Sequence, residues 1–459
     1  MMSCLQPVDL KKACERFAVA LALICCNGAA YATEADGLED LLDDFENPPV
    51  VQEESASSSP LTDYFSGYVE LFAAGNTTRF QTEPDKTDWQ GLSSLRLETM
   101  LEVDYQLAGW TFFGGVRGFY DFAYSIEGRD NFTSEVLGSY EEELELRELY
   151  LQGSLTDHID LKIGRQIVVW GRSDNIRVTD ILNPVDTRDM GITDIENIRL
   201  PLTMLKLDVF IGAWNLDLLS VLEHRYNENP VYGHFFYPGS AAGPIDNEPD
   251  NTLENCEIAM ELSRSFKGLD ISLYGAQFHD DEGTYLSTDP LTMEHEKITM
   301  AGASASYARG DMLYIAELAN FRGLRFMTSD QDYARTDFLI GLEYSGLSDT
   351  TISLDYARRY LHNYDSALDT SPENPKETEN EVALRITREC FHERLELTAL
   401  FLLNGDHGQH GASQRFTAKY DVMDDWSATA GLLLYQAGDG LLAANGDTGR
   451  VYVQLRYDF

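Results

Sequence analysis

The sequence predicts an all-β chain that closes into a transmembrane antiparallel β-barrel of about eighteen strands. Three observations predict it. Apolar and polar residues alternate with period two in segments of roughly nine to twelve residues, the length a tilted strand needs to cross a bilayer. An export leader is followed by no apolar run approaching the roughly 18–20 residues of a helical span. Tight turns and long polar loops then exchange places regularly along the chain.

Residues 1–32 read as a secretory signal peptide. Lys11, Lys12 and Arg16 form its positive region, Phe17 to Cys25 its apolar core, and Ala30-Tyr31-Ala32 its small-residue cleavage site. Ile24 before Cys25 is too bulky for a lipobox, so Cys25 and Cys26 do not predict lipidation. Four of the six cysteines leave with the leader, and Cys256 and Cys390 alone make no disulfide framework. The net charge of −43 loses three basic and two acidic residues with the leader and becomes −44. Such a surface excludes nucleic acid as a partner.

Residues 33–62 form an acidic, then Pro/Ser-rich arm, read as a flexible periplasmic segment. Leu38, Leu41, Leu42 and Phe45 give it one amphipathic patch that could dock on a periplasmic partner or enter the pore. The barrel follows from residue 63 to 459. In one representative strand, Leu95, Leu97, Thr99, Leu101, Val103, Tyr105 and Leu107 alternate with Arg96, Glu98, Met100, Glu102, Asp104 and Gln106. A soluble sandwich would also have such a strand, so the connections decide.

Tight links fall near Ala108-Gly109, Thr156-Asp157, Gly212-Ala213, Lys267-Gly268, Arg309-Gly310, Gly346-Leu347, Phe391-His392 and Asp424-Asp425. Long connections fall near 76–92, 127–143, 171–203, 223–253, 279–294, 322–335, 361–379, 404–413 and 436–449. Eight turns and nine loops make eighteen strands, or sixteen if 203–221 adds none. An even number returns both ends to the periplasmic side and puts every long loop outside. This register places Cys256 near the outer rim and Cys390 at a periplasmic turn, beyond the roughly 7 Å reach of a disulfide.

At the chain end Val451, Val453, Leu455, Tyr457 and Phe459 share one face, and Arg450, Tyr452, Gln454, Arg456 and Asp458 the other. A terminal phenylalanine with Tyr457, Leu455 and Val453 alternating behind it resembles the assembly signal of bacterial outer-membrane barrels. The resemblance implies a Gram-negative outer membrane, with its lipid, lipopolysaccharide and barrel-assembly machinery as partners.

A barrel of sixteen to eighteen strands leaves an aqueous lumen. Passive or facilitated diffusion of a small solute is the expected function. The loop at 171–203 departs from the pattern, because Ile176, Val178, Ile181, Leu182, Ile192, Ile195 and Ile198 require burial. Folding into the lumen would bury them, and so would packing over the rim. The same stretch carries Arg165, Arg172, Arg177, Arg188 and Arg199, in a chain of 77 acids and 34 bases. Arginine keeps its charge in any lumen and offers planar donors to carboxylates, which makes these five the candidate pore constriction.

Gly164-Arg165-Gln166, Trp170-Gly171 and Asn183-Pro184-Val185-Asp186 resemble the segment that marks a group of Gram-negative outer-membrane proteins known as domain of unknown function 1302. The resemblance implies an outer-membrane barrel that passes apolar or aromatic compounds. The chain departs from that pattern in carrying Arg172 where an acidic residue would follow Trp-Gly, so no polar role is carried over to it.

Acidic loop clusters such as Glu141-Glu142-Glu143, Asp280-Asp281-Glu282 and 365–379 could hold Mg²⁺ or Ca²⁺ bridging lipopolysaccharide phosphates. None has the ordered spacing of a calcium loop, so the sequence names no metal ligands, and without a Cys-x-x-Cys-His site it predicts no cofactor. His279-Asp280-Asp281 and Asp406-His407 set base beside acid, but neither matches a hydrolase motif, and the chain is read as no enzyme. The other alternative is an export or assembly duct recruited through the acidic arm.

Overall fold

The computed structural model describes residues 64–459 apart from 80–87, 196, 240, 253–254, 440–441 and 444–447. The leader at 1–32 and the arm at 33–62 lie outside the described residues. Among the described residues twenty-one strands are formed: β1 (Phe65–Asn76), β2 (Gly91–Leu107), β3 (Trp110–Asp121), β4 (Glu142–Thr156), β5 (Ile159–Gln166), β6 (Leu202–Ile211), β7 (Trp214–Val221), β8 (Ile245–Asn247), β9 (Glu257–Phe266), β10 (Leu269–His279), β11 (Thr284–Thr288), β12 (Leu291–Glu294), β13 (Lys297–Arg309), β14 (Met312–Phe326), β15 (Ser329–Leu347), β16 (Thr350–His362), β17 (Thr378–Cys390), β18 (Leu395–Asn404), β19 (Ala412–Met423), β20 (Trp426–Gln436) and β21 (Thr448–Asp458).

Eighteen of them make one antiparallel sheet that β1 and β21 close, in register from Tyr68↔Asp458 to Asn76↔Arg450. Closure leaves no strand edge unpaired, which is what lipid demands of a sheet. The short β8, β11 and β12 form a separate three-stranded sheet within the loops. The 203–221 region supplies β6 and β7, so the ring has eighteen strands and not sixteen.

The eight expected turns all join strand pairs at one end of the barrel. One expected loop is different: residues 322–335 continue β14 and β15 as a hairpin that turns at Met327-Thr328. Register irregularities at Arg322, Leu324 and Phe326 interrupt its two-residue alternation, which is why it reads as a loop.

Side-chain alternation follows the expected faces. On β21, Val451, Val453 and Leu455 are exposed on the outside while Arg450 and Tyr452 are buried toward the lumen. Exposed aromatics collect at the short-turn end of the outer face, among them Tyr105, Phe112, Phe266, Tyr307, Tyr314 and Trp426. An aromatic girdle of this kind marks the membrane interface. Cys256 and Cys390 are both free, the first before β9 at the loop end and the second at the β17–β18 turn.

Two clusters of buried apolar side chains fill opposite parts of the interior. One joins Trp170, Ile176, Val178 and Leu182 to wall residues Tyr274, Met300, Leu339 and Ala357. The other joins Phe72, Leu433, Tyr435 and Tyr452 to the loop aromatics Trp89, Tyr124, Phe132, Phe235 and Phe236.

Candidate functional site

The connection between β5 and β6, residues 167–201, lies inside the barrel. Its strand exit is fixed by Gln166, fully buried, whose amide donates to the Met204 carbonyl at 3.1 Å. Asn183 then ties the two limbs of the loop together. Its carbonyl accepts from the N–H of Val168 at 2.9 Å and its amide donates to the Leu200 carbonyl at 2.7 Å. Asp180 sits between Arg177 and Arg199, accepting at 3.0 and 2.8 Å. A bridge between Val185 and Arg199 completes this internal frame.

The first limb is held by acidic side chains of the wall. The N–H groups of Arg172, Ser173 and Thr179 donate to the Glu317 carboxylate at 2.6, 3.0 and 3.1 Å, and the Thr179 hydroxyl does so at 2.7 Å. Gly171 makes this wrap feasible. Its φ is +86°, and a Cβ there would stand 3.2 Å from both Glu317 oxygens. Asp355 on β16 accepts from the Ser173 hydroxyl at 3.0 Å and the Asn175 amide at 2.8 Å.

The second limb is held by basic and phenolic side chains across the lumen. Arg450 on β21 donates to Asp189 at 2.8 Å, Tyr435 on β20 to the Met190 carbonyl at 2.6 Å, and Arg415 on β19 to the Ile192 carbonyl at 2.7 Å. Arg415 also pairs with Asp194. Burial alone would raise the Asp189 carboxyl, but Arg450 and Arg96 outweigh it and bring it down to about 2. A folded value below the free one contributes stability above roughly pH 4 that is lost as pH falls through the folded value. Asp189→Asn is therefore expected to loosen the loop at neutral pH. Its difference from the parent in proteolytic protection should vanish as pH approaches 2; a constant difference would disconnect this pair from the loop.

Of the five expected arginines, four lie on this inward loop. Arg177 and Arg199 converge on Asp180, and Arg188 pairs with Asp186, Glu143 and Glu228 at 2.7–2.8 Å. Arg172 reaches the hydroxyls of Ser272 at 2.9 Å and Ser304 at 3.4 Å. Arg165 stands apart: it shares the outward face of β5 with exposed Ile163 and pairs with Glu223 near the rim. The five are not brought into one row.

Sequence reasoning missed the wall partners Glu317, Asp355, Arg415 and Arg450, and a cavity beside the second limb. Arg96, Arg117, Arg188 and Arg450 line it with Phe119, Asp121, Asp189 and Tyr140. Arg96, Arg117 and Arg450 each carry a buried Nε–H without a hydrogen-bond partner. Arg96 approaches Glu98 and Asp189 only at 3.6 and 3.8 Å, beyond hydrogen-bond length. A second cavity, under the first limb, is lined by Asp174, Glu343 and Asp355 with Ser353 and Arg385. At the rim, the carboxylate that meets the His279 ring is Glu257, at 3.0 Å.

A closed eighteen-strand ring with an apolar outer face, an aromatic girdle and a loop folded into its lumen is the architecture of an outer-membrane β-barrel of the porin class. The chain belongs to the family described as "Protein of unknown function (DUF1302)", whose model matches residues 15–459. Its fold is similar to a BenF-like porin from Pseudomonas fluorescens Pf-5, with a TM-score of 0.53 and 11% identity over 86% of this chain and 98% of that one. It is also similar to OccAB3 of Acinetobacter baumannii, with a TM-score of 0.52 and 12% identity over 86% and 98%. OpdK of Pseudomonas aeruginosa, solved with vanillate, has a TM-score of 0.51 and 9% identity over the same shares. No curated protein sequence matches the chain.

Proposed function

We propose that the chain is a channel for diffusion of small solutes across the outer membrane, with the loop at 167–201 as its constriction and a preference for solutes that carry a carboxylate. The observation that carries the reading is the loop itself, seated within the lumen and held to opposite walls by Glu317 and Asp355 on one side and Arg450 and Arg415 on the other. A loop so held narrows a barrel that its own wall side chains are too short to fill.

The preference follows from the charges beside it. Arg96, Arg117 and Arg450 stand on β2, β3 and β21, with Arg188 on the loop facing the same cavity. Asp174, Glu343 and Asp355 line the other cavity, against strands about half-way round the ring. A basic wall facing an acidic one sets a field across the lumen that orients a dipolar or anionic solute. Three buried guanidinium N–H donors lacking partners are what a planar carboxylate would satisfy. Phe119 and Tyr140 add apolar surface for an aromatic or aliphatic body, and vanillate, found with OpdK, combines those two features.

Planar-bilayer recordings test it. The parent barrel should conduct, and small aromatic carboxylates should reduce ion flow at lower concentration than their neutral amides. Arg96→Gln with Arg117→Gln should abolish that difference and shift selectivity toward cations. Equal block by acid and amide in the parent would end the carboxylate reading, and a purified, folded barrel that never conducts would end the channel reading.

A further inference from the structure

We propose that His224, Glu257 and His279 form a binding site for a single divalent transition-metal ion, of the class that zinc represents, at the loop end of the barrel. The three residues come from separate segments. His224 begins the connection after β7, Glu257 opens β9, and His279 ends β10. Their candidate ligand atoms, two imidazole nitrogens and a carboxylate oxygen, all lie within 4.8 Å of one another.

The spacing is close to what an ion needs. Zinc bonds to nitrogen and oxygen of about 2.0–2.2 Å put tetrahedral ligand atoms roughly 3.3 Å apart. Glu257 Oε1 stands 3.0 Å from His279 Nδ1 and 3.8 Å from His224 Nδ1. The two imidazole rings meet edge to face, with centroids 4.8 Å apart. Small side-chain rotations therefore admit an ion without moving the strands. Two histidines and one carboxylate also leave one position of a tetrahedral ion for water or a solute.

A purely structural trio accounts for part of this arrangement. Glu257 accepts from the His279 backbone N–H at 2.9 Å as well as meeting its ring. It does not account for His224, whose side chain is 2% exposed and whose Nδ1 is buried without a hydrogen-bond partner. At 3.8 Å from the carboxylate, that nitrogen is too far for a hydrogen bond, yet it belongs to the cluster. A metal ion supplies the missing partner. The surroundings favour a cation: β10 runs directly into Asp280-Asp281-Glu282, in a strongly acidic chain. Two imidazoles select zinc, copper or nickel over magnesium and calcium, which prefer all-oxygen sites.

Bound there, an ion would pin the root of the 222–256 loop to β9 and β10. The test uses the full-length barrel in detergent, stripped with a chelator, with Zn²⁺ titrated at neutral pH against a chromophoric competitor. One tight site per chain is expected, undisturbed by millimolar Ca²⁺, and weakened at least tenfold in His224→Ala and in His279→Ala but not in His407→Ala. X-ray absorption of the zinc-loaded parent should show two imidazoles, a readout that does not require a folded variant. Zinc uptake equal in the parent, His224→Ala and His279→Ala, or a spectrum with oxygen ligands only, overturns the proposal.

Discussion

Glu317→Gln combined with Asp355→Asn is expected to raise the single-channel conductance of the reconstituted barrel several-fold and to make the 167–201 loop accessible to protease. Glu317 is 4% exposed and takes four hydrogen bonds from the loop, and Asp355 takes two more. Each charge-assisted bond contributes about 1.5–3 kcal/mol net, though not additively. Glutamine keeps the shape of Glu317 but turns an N–H₂ toward N–H donors, so part of the network becomes repulsive. A loss of roughly 4 kcal/mol would shift the balance between seated and released loop by about a thousandfold. The apolar contacts of Trp170, Ile176, Val178 and Leu182 remain, and they keep release from being complete. Gly171→Val tests the same anchor independently, since its Cβ would press on both Glu317 oxygens. Unchanged conductance and an unchanged digestion pattern in both variants would remove the anchoring role from Glu317.

How much of this is legible in the sequence follows from what a strand pattern encodes. The faces of β2 and β21 are readable because one side must meet lipid, and a shift of one residue would bury charges in it. The inward fold of the loop is half readable: Ile176, Val178 and Leu182 require burial, but the pattern does not say against what. Glu317 and Asp355 look like any other polar inward position, because what distinguishes them is the loop that lands on them, coming from some 140 and 180 residues away. The arginines show the same limit from the other side. Their number is plain in the sequence, whereas their pairing with Asp180, Asp186 and Glu143 depends on folding. Arg165 lies beyond the loop because β5 continues to Gln166 and fixes its parity outward. His224, Glu257 and His279 have no motif spacing, since three neighbouring strand ends bring them together.

The assembly role read from Tyr457 and Phe459 gives the second large effect: deletion of Phe459 is expected to remove most of the folded barrel from the outer membrane. The seam between β21 and β1 ends on Phe459, which exchanges two hydrogen bonds with Gly67, N–H to carbonyl in both directions at 3.0 Å. Without it both Gly67 groups lose these partners, and the closing seam is shorter by one hydrogen-bonded pair. Gly67 has little freedom to adjust, because even a Cβ there would stand 2.1 Å from the Met100 carbonyl oxygen. The ring has a separate part: with Trp426 and Tyr457, their centroids 5.0 Å apart, it belongs to the aromatic girdle. Three variants divide these contributions. Phe459→Trp keeps backbone and ring, Phe459→Ala keeps the backbone alone, and deletion keeps neither. The heat-modifiable fraction in outer-membrane extracts should fall in that order. If alanine matches deletion, the side chain dominates and recognition by the assembly machinery is the reason; if alanine matches the parent, closing the seam is. Normal levels of folded barrel in the deletion variant would refute both.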